Sequence, residues 1–421
     1  MPSDYDSDLL HEGILRFKAK EFDTARRYME RALDTADDNQ TRAQANFYLS
    51  QLTDDPVQKR QYLEETLAID LTHAEARRAL AILDGKLRPE EIVNPDALPP
   101  APSGTVTVAA DRFTCPKCGG RMVYAPDGVS LVCEYCQRTQ SLQTSASGAE
   151  QDFFVAMASG KGHRKPVAMQ TFRCQGCGAE FLLAAQAISA ACAYCGSAYV
   201  IRQSRELAAP DAILPLAFGQ KDAAWRLVHW VEQNKIEPQG KVQAPRALYL
   251  PVWTFDISGN IPWNGLVYQD KRLVPVSGSE VVQFNDLAVP GSQKLAGLLE
   301  RVLPEFHFSA SSSYDPRYLA GWPAEVYEIA MSDASLEARR MAVERVRSLI
   351  QSEHGQVHEL SYSASGIAVE AFKLVLVPVW ITEYSWQDKT HRVVINGLTG
   401  AVHGEHPQRG LLDWLGDLIG N

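Results

Sequence analysis

Apolar positions along the first part of the chain recur with a helical period. The stretch LLHEGILRFKAKEFDTARRYMERALDTAD, residues 9 to 37, predicts one helix to about Lys20 and a second from about Glu21. Gly13, Ala25, Met29 and Ala32 place small or apolar residues where the two helices must close on each other. A second helical pair is predicted from Thr41 to Asp70, and a fifth helix from His73 to Leu83. The pattern then breaks. NPDALPPAPSG is Pro-rich, cannot continue a helix, and reads as a semi-rigid spacer.

From about Leu207 the period changes. ALYLPVWTFDISG (247 to 259), LVYQDKRLVPVSG, GIAVEAFKLVLVPVWITEYSW (366 to 386) and HRVVINGLTGAVHG (391 to 404) are rich in Val, Ile, Tyr and Trp. Gly, Pro and Asn punctuate them, so they read as short strands. VVINGLTGAV predicts two strands around an Asn-Gly turn. Helices are predicted near 220 to 234 and 335 to 353, the second with Val343, Val346, Leu349 and Ile350 on its apolar face. LPVWTFD (250 to 256) and VPVWITE (377 to 383) repeat one motif, and Trp253 and Trp380 are expected in the core. GLLDWLGDLIGN closes the chain with Leu411, Leu412, Leu415, Leu418 and Ile419 on one helical face and Asp413 and Asp417 off it. A membrane-surface helix would carry Lys or Arg beside the headgroups. This one is expected to dock on the body or on a partner.

Composition fits a soluble globular protein: 421 residues, 45% apolar and 22% charged. The net charge of -10 makes nucleic acid an unlikely general partner, since that binding runs on phosphate neutralisation. A mildly basic stretch lies in the middle, and Lys117, Arg121, Arg138, Lys161, Arg164 and Lys165 are its candidate phosphate contacts. The N-terminus has neither the basic nor the apolar region of a secretory signal, and no run suffices for a transmembrane helix. The expected location is cytoplasmic.

In that compartment paired cysteines point to metal ligation rather than disulfides. All eight cysteines fall in four C-x-x-C pairs. CPKCGGRMVYAPDGVSLVCEYC contains Cys115, Cys118, Cys133 and Cys136; CQGCGAEFLLAAQAISAACAYC contains Cys174, Cys177, Cys192 and Cys195. Both copies read C-x2-C-x14-C-x2-C. A C-x-x-C turn lets two sulfurs converge on one ion, and fourteen residues suit a strand, a turn and a strand. Gly119, Gly178 and Gly196 follow second cysteines, where positive φ lets the backbone fold back; Gln137 breaks that pattern. Four thiolates make a structural zinc site, so two structural Zn2+ ions are expected. Iron takes the same four ligands in rubredoxin-like sites. Loop closure favours two separate ribbons over a cross-braced pairing.

No nucleotide-binding loop, dinucleotide fingerprint or nucleophile elbow is present, and no catalytic residue is assigned. His358-Glu359 begins a zincin-like motif, but Tyr362 stands where its second histidine belongs. His403 and His406 are expected to be solvated. The chain reads as a protein without enzymatic activity.

Three features together resemble the bacterial double zinc-ribbon proteins, often labelled similar to the primosomal helicase N′: the ribbons, the Pro-Val-Trp strands and the VINGLTGAVHGE hairpin. The likeness spans about residues 111 to 408. It implies an anchor or recruiter beside phage-shock and flotillin-like (SPFH) membrane-stress proteins. Such proteins usually carry transmembrane helices after the hairpin and this sequence does not, so recruitment of protein partners is the expectation. The helicase label finds no motor motif here. The N-terminal helices resemble tetratricopeptide repeats in their spacing of about 34 residues and in TLAIDLTHAEAR, residues 66 to 77. A plain helical bundle would show much the same core. The expected fold class is multidomain α+β. It comprises a helical repeat-like array (1–88), a Pro-rich linker (89–110) and two tandem zinc ribbons (111–140 and 171–202, within 111–204). A mixed α+β domain (205–408) and a short amphipathic helix (409–421) complete it. Its function is then that of a zinc-binding adaptor, with nucleic-acid binding as the alternative.

Overall fold

The computed structural model describes residues 4–92, 115–118, 122–125, 130–141, 148–159, 167–182, 192–197, 200–236, 242–269, 271–319, 322–386 and 389–405. Residues 93–110 of the Pro-rich linker, Gly119, Arg121, the 161–165 basic cluster, His406 and the stretch 409–421 lie outside them.

Two helical hairpins and a fifth helix begin the chain. They are α1 (Asp4–Lys18), α2 (Phe22–Thr35), α3 (Asn39–Gln51), α4 (Pro56–Ile69) and α5 (Ala74–Leu83). Side-chain caps fix the starts of the last three. Asp38 accepts from the Thr41 amide at 2.7 Å, Asp55 from Val57 at 3.0 Å, and His73 Nδ1 from Ala76 at 3.2 Å. Ala25, Met29 and Ala32 are fully buried. A Cβ on Gly13 would stand 2.9 Å from Met29 Cε and 3.2 Å from Tyr28 Cβ, so the glycine marks a close approach of α1 to α2 that a larger residue would enter only by shifting both side chains.

A small antiparallel sheet follows, in the order β1 (Met122–Tyr124), β2 (Ser130–Cys133), β3 (Thr139–Ser141). The other described strands join one thirteen-stranded sheet. They are β4 (Gln151–Asp152), β5 (Val167–Cys174), β6 (Glu180–Leu182), β7 (Val200–Leu207), β8 (Ala212–Ile213), β9 (Arg246–Gln269) and β10 (Arg272–Pro290). Then come β11 (Ser312–Ser313), β12 (Ala324–Glu325), β13 (His358–Tyr362), β14 (Ile367–Trp386), β15 (Lys389–Asn396) and β16 (Val402–Gly404). Helices α6 (Phe153–Ala158), α7 (Gln220–Gln233), α8 (Ala296–Val302) and α9 (Met331–His354) pack on it. The main path runs β11-β8-β14-β9-β12-β6-β5-β7.

The C-terminal body mixes helix and sheet, as expected, and is largely β. Runs that read as separate short strands are segments of β9, β10 and β14. Gly259, taken as punctuation, lies inside β9 with φ +147; a Cβ there would sit 2.2 Å from Gly366 O. It is a site of close backbone approach, not a strand end.

The two Pro-Val-Trp motifs lie on neighbouring antiparallel strands, with Val377 opposite Leu250 and Trp380 opposite Ala247. Proline donates nothing to a ladder, and both prolines sit in central strands. Each uses its carbonyl instead: Pro251 O accepts from Gly291 N at 2.8 Å and Pro378 O from Gly397 N at 2.9 Å. Both tryptophans are buried core residues, as read from the sequence. Trp253 Nε1 donates to Ile329 O at 2.9 Å, and Trp380 meets Trp322 edge-on.

α9 covers the Trp253 region with Val346 and Ile350 buried and Val343 against the core as expected, and the buried face extends along its alanines instead of to Leu349. Ala334, Ala338, Ala342, Val346 and Ile350 are buried and Leu349 is exposed. The small residues at i, i+4 let the helix lie close to the strands, and packing favours that ridge over the bulkier stripe. The Asn-Gly hairpin forms as predicted. β15 pairs with β16, and Asn396 Oδ1 accepts from the amides of Leu398 and Thr399 at 2.9 and 3.1 Å. The helical array docks on the body through Arg77. Its guanidinium meets the Glu370 carboxylate of β14 at 2.8 and 3.0 Å, and Ser258 Oγ donates to the same carboxylate.

Candidate metal centres

Each cysteine knuckle is a tight backbone turn. The amides of Gln137, Gly178 and Gly196 donate to the carbonyls of Cys133, Cys174 and Cys192 at 2.9–3.0 Å. All three residues take positive φ: +55, +72 and +71. Gln137 thus adopts the conformation glycine was expected to supply, at some steric cost.

These turns gather the eight cysteines into two groups of four, Cys115/Cys118/Cys133/Cys136 and Cys174/Cys177/Cys192/Cys195. The sulfurs of each group lie within 4.8 Å of one another. Cys115 and Cys136 approach to 3.6 Å, Cys118 and Cys133 to 3.5 Å, and the second group repeats both values. A disulfide would need about 2.05 Å. Four sulfurs at about 2.3 Å from one ion stand roughly 3.8 Å apart, so the spacing is that of a tetrahedral thiolate cage. Both groups are compatible with a zinc ion. Each closes within its own ribbon, not across the two.

Local electrostatics differ between the cages. In the first, the Lys117 amide pointing at Cys115 lowers its thiol to about 6, and the Cys136 amide lowers Cys133. In the second, burial raises Cys177 and Cys192. Burial also opposes ionisation of Cys174, but the Cys177 and Gly176 amides outweigh it and bring that thiol to about 7. Metal binding needs the thiolate, and backbone N–H groups stabilise it without adding charge.

The seats differ more. β1–β3 form their own sheet, and Met122, Leu131 and Cys133 share a core with Tyr318 and Leu319 of the body. The second ribbon is part of the main sheet: β6 pairs with β12, and β12 lies parallel to β9. Arg246 of β9 donates to Ala193 O at 2.8 Å and to Tyr194 O at 2.7 Å, both carbonyls lying inside the second knuckle. Tyr194 is buried and its hydroxyl donates to Glu325 Oε2 at 2.7 Å. Burial pushes the Glu325 carboxyl up to about 7. The equivalent tyrosine of the first ribbon, Tyr135, is 77% exposed.

Of the basic residues singled out in the sequence, Lys117 and Arg138 are exposed on the first ribbon. His358 and Glu359 lie on strand β13, where His358 meets Tyr268 edge-on. His403 is not solvated as expected: its Nε2 pairs with Glu305 Oε1 at 2.7 Å, and Asn396 donates to the other oxygen. Glu305 lies ninety-eight positions earlier, beyond the reach of local pattern. Arg246, Tyr194 and Glu325 were also missed. The one available signal was the tyrosine repeated in CEYC and CAYC.

No protein-family model matches the chain, and no solved structure matches it. It is similar to the uncharacterized protein YdjG of Bacillus subtilis (strain 168), with 24% identity over 219 residues. The match covers 47% of this chain and 64% of that protein, just under two thirds of its length. Among the described residues no helix is long and apolar enough to cross a membrane.

Proposed function

We propose that the chain is a non-catalytic adaptor whose two zinc ions are structural and whose surfaces recruit protein partners. The supporting observation is the filling of each cage by four cysteine sulfurs. A tetrahedral ion there has no position left for substrate or water, whereas catalytic zinc keeps one open. The metal then contributes folding energy, on the order of 10–16 kcal/mol for structural sites. In the second ribbon that energy fixes a knuckle gripped by Arg246 and Glu325. The likeness to double zinc-ribbon proteins supports partners from a bacterial membrane-stress system, and the reduced thiols suit the cytoplasm.

The experiment is purification of the intact chain from its native host under reducing conditions. The adaptor reading expects two zinc ions per chain by elemental analysis and a stoichiometric protein partner. A single ion, a water-ligated ion by X-ray absorption, or co-purifying nucleic acid in place of protein would overturn it.

A further inference from the structure

β10 pairs with β9 along its inner edge from Arg272 to Pro290. Among the described residues no strand pairs with its outer edge. Such an edge presents unpaired N–H and C=O groups, and proteins usually blunt it with Pro, Lys or a bulge. Here Pro275 and the irregularity between Phe284 and Leu287 bracket the stretch 276–284 instead of interrupting it. That window, VSGSEVVQF, contains no proline and one charge, Glu280. Ser277, Ser279, Val281 and Gln283 face outward, and Val281 is 84% exposed.

The window runs into a groove. Where β10 bends, Asp286 takes φ +53, and a cavity of about 720 Å³ opens between the strand, residues 303–309 and α9. Asp286, Glu300, Glu337 and Glu344 line it, against Arg340 and Arg345. Arg340 is engaged by both Glu337 and Glu344, and Arg345 lies over the Phe284 ring. Behind Asp286, the buried Lys373 is shared with Glu150, and Asp256 adds a further carboxylate. Acidic groups outnumber cations throughout.

We propose that this edge and groove receive an extended segment of a partner protein as an added strand, with a Lys or Arg of that segment entering the groove. Unpaired backbone groups select an extended backbone. The excess of carboxylates selects a cationic side chain. A second copy of β10 would set its own Glu280 against this one, and its basic residue, Arg272, stands at the end of the strand outside the window. This deepens the adaptor reading and rests on it for the existence of a partner.

The probe is a fluorescein-labelled nine-residue peptide of alternating Thr and Val with one central Lys, titrated with the full zinc-loaded chain. A matched peptide carries Glu in place of Lys, and two others carry N-methyl groups on alternate amides. The lysine peptide should bind about tenfold tighter than the glutamate one, and N-methylation should cost about tenfold. Glu300→Lys, at an exposed position, should erase most of the lysine preference. Equal binding of the two charged peptides, indifference to N-methylation, or no binding at all would overturn the proposal. So would self-association of the chain that Val281→Lys abolishes, which assigns the edge to a second copy. A native partner recovered with the intact chain while every peptide fails would sink this surface and leave the adaptor reading standing.

Discussion

The two cysteine cages share ligand spacing and sulfur geometry, yet they are held by the molecule in different ways. The first stands on its own three-stranded sheet, with Tyr135 pointing into solvent. In the second, the corresponding Tyr194 is buried against Glu325 and its knuckle carbonyls are clamped by Arg246. Spacing specifies a cage. What the cage supports is decided by residues far away in sequence, here on β9 and β12.

Five substitutions break or sharpen that contrast. The largest effect is expected from removing one ligand of each cage. Cys192→Ser should release one zinc and lower the calorimetric melting temperature of the body by more than about 10 °C, because the main sheet loses its clamped margin. Cys133→Ser should release the other zinc and shift that transition by only about 2 °C. Equal shifts would mean that the cages are equivalent.

Arg246→Ala comes next. It leaves the Ala193 and Tyr194 carbonyls without their charged donor and should cost about 2–3 kcal/mol by urea denaturation.

Glu325→Gln tests the buried carboxyl through pH. Its folded value is raised from the ordinary 4.5 to about 7, so between those values the folded chain holds a proton that the unfolded chain has released. Stability therefore falls as pH rises through this window. The advantage of the glutamine variant should grow by about 1 kcal/mol from pH 6 to pH 8 in zinc-loaded protein. A constant difference would show that the carboxyl titrates normally.

The smallest effect belongs to Gln137→Gly in the first ribbon. Relieving the left-handed conformation should stabilise that ribbon by about 0.5–1 kcal/mol, read as slower zinc loss to a chelator.

Local signals made part of this molecule legible. Cysteine spacing grouped the sulfurs, helical period located the hairpins, and Gly13 marked the contact of α1 with α2. The hairpin around Asn396 was readable because its turn chemistry is local. The long strands were not. Gly259 looks like a strand end, and its place inside β9 rests on the approach of Gly366 and Ile367, more than a hundred residues away. The pairing of His403 with Glu305 and of Tyr194 with Glu325 were hidden for the same reason. A single sequence reports period and turn chemistry well, but it carries no direct record of which distant side chains meet.

The central pairing of β9 with β14 also imposes an order of events during synthesis. Ninety-eight positions separate the end of β9 at Gln269 from the start of β14 at Ile367. At about 5–20 residues per second, β9 waits roughly 5–20 s on the ribosome for its neighbour. In that interval the cysteines of the second ribbon have already emerged and β10 becomes available. A metal-loaded knuckle holding Arg246 would give the waiting strand a fixed native foothold on that side before β14 exists.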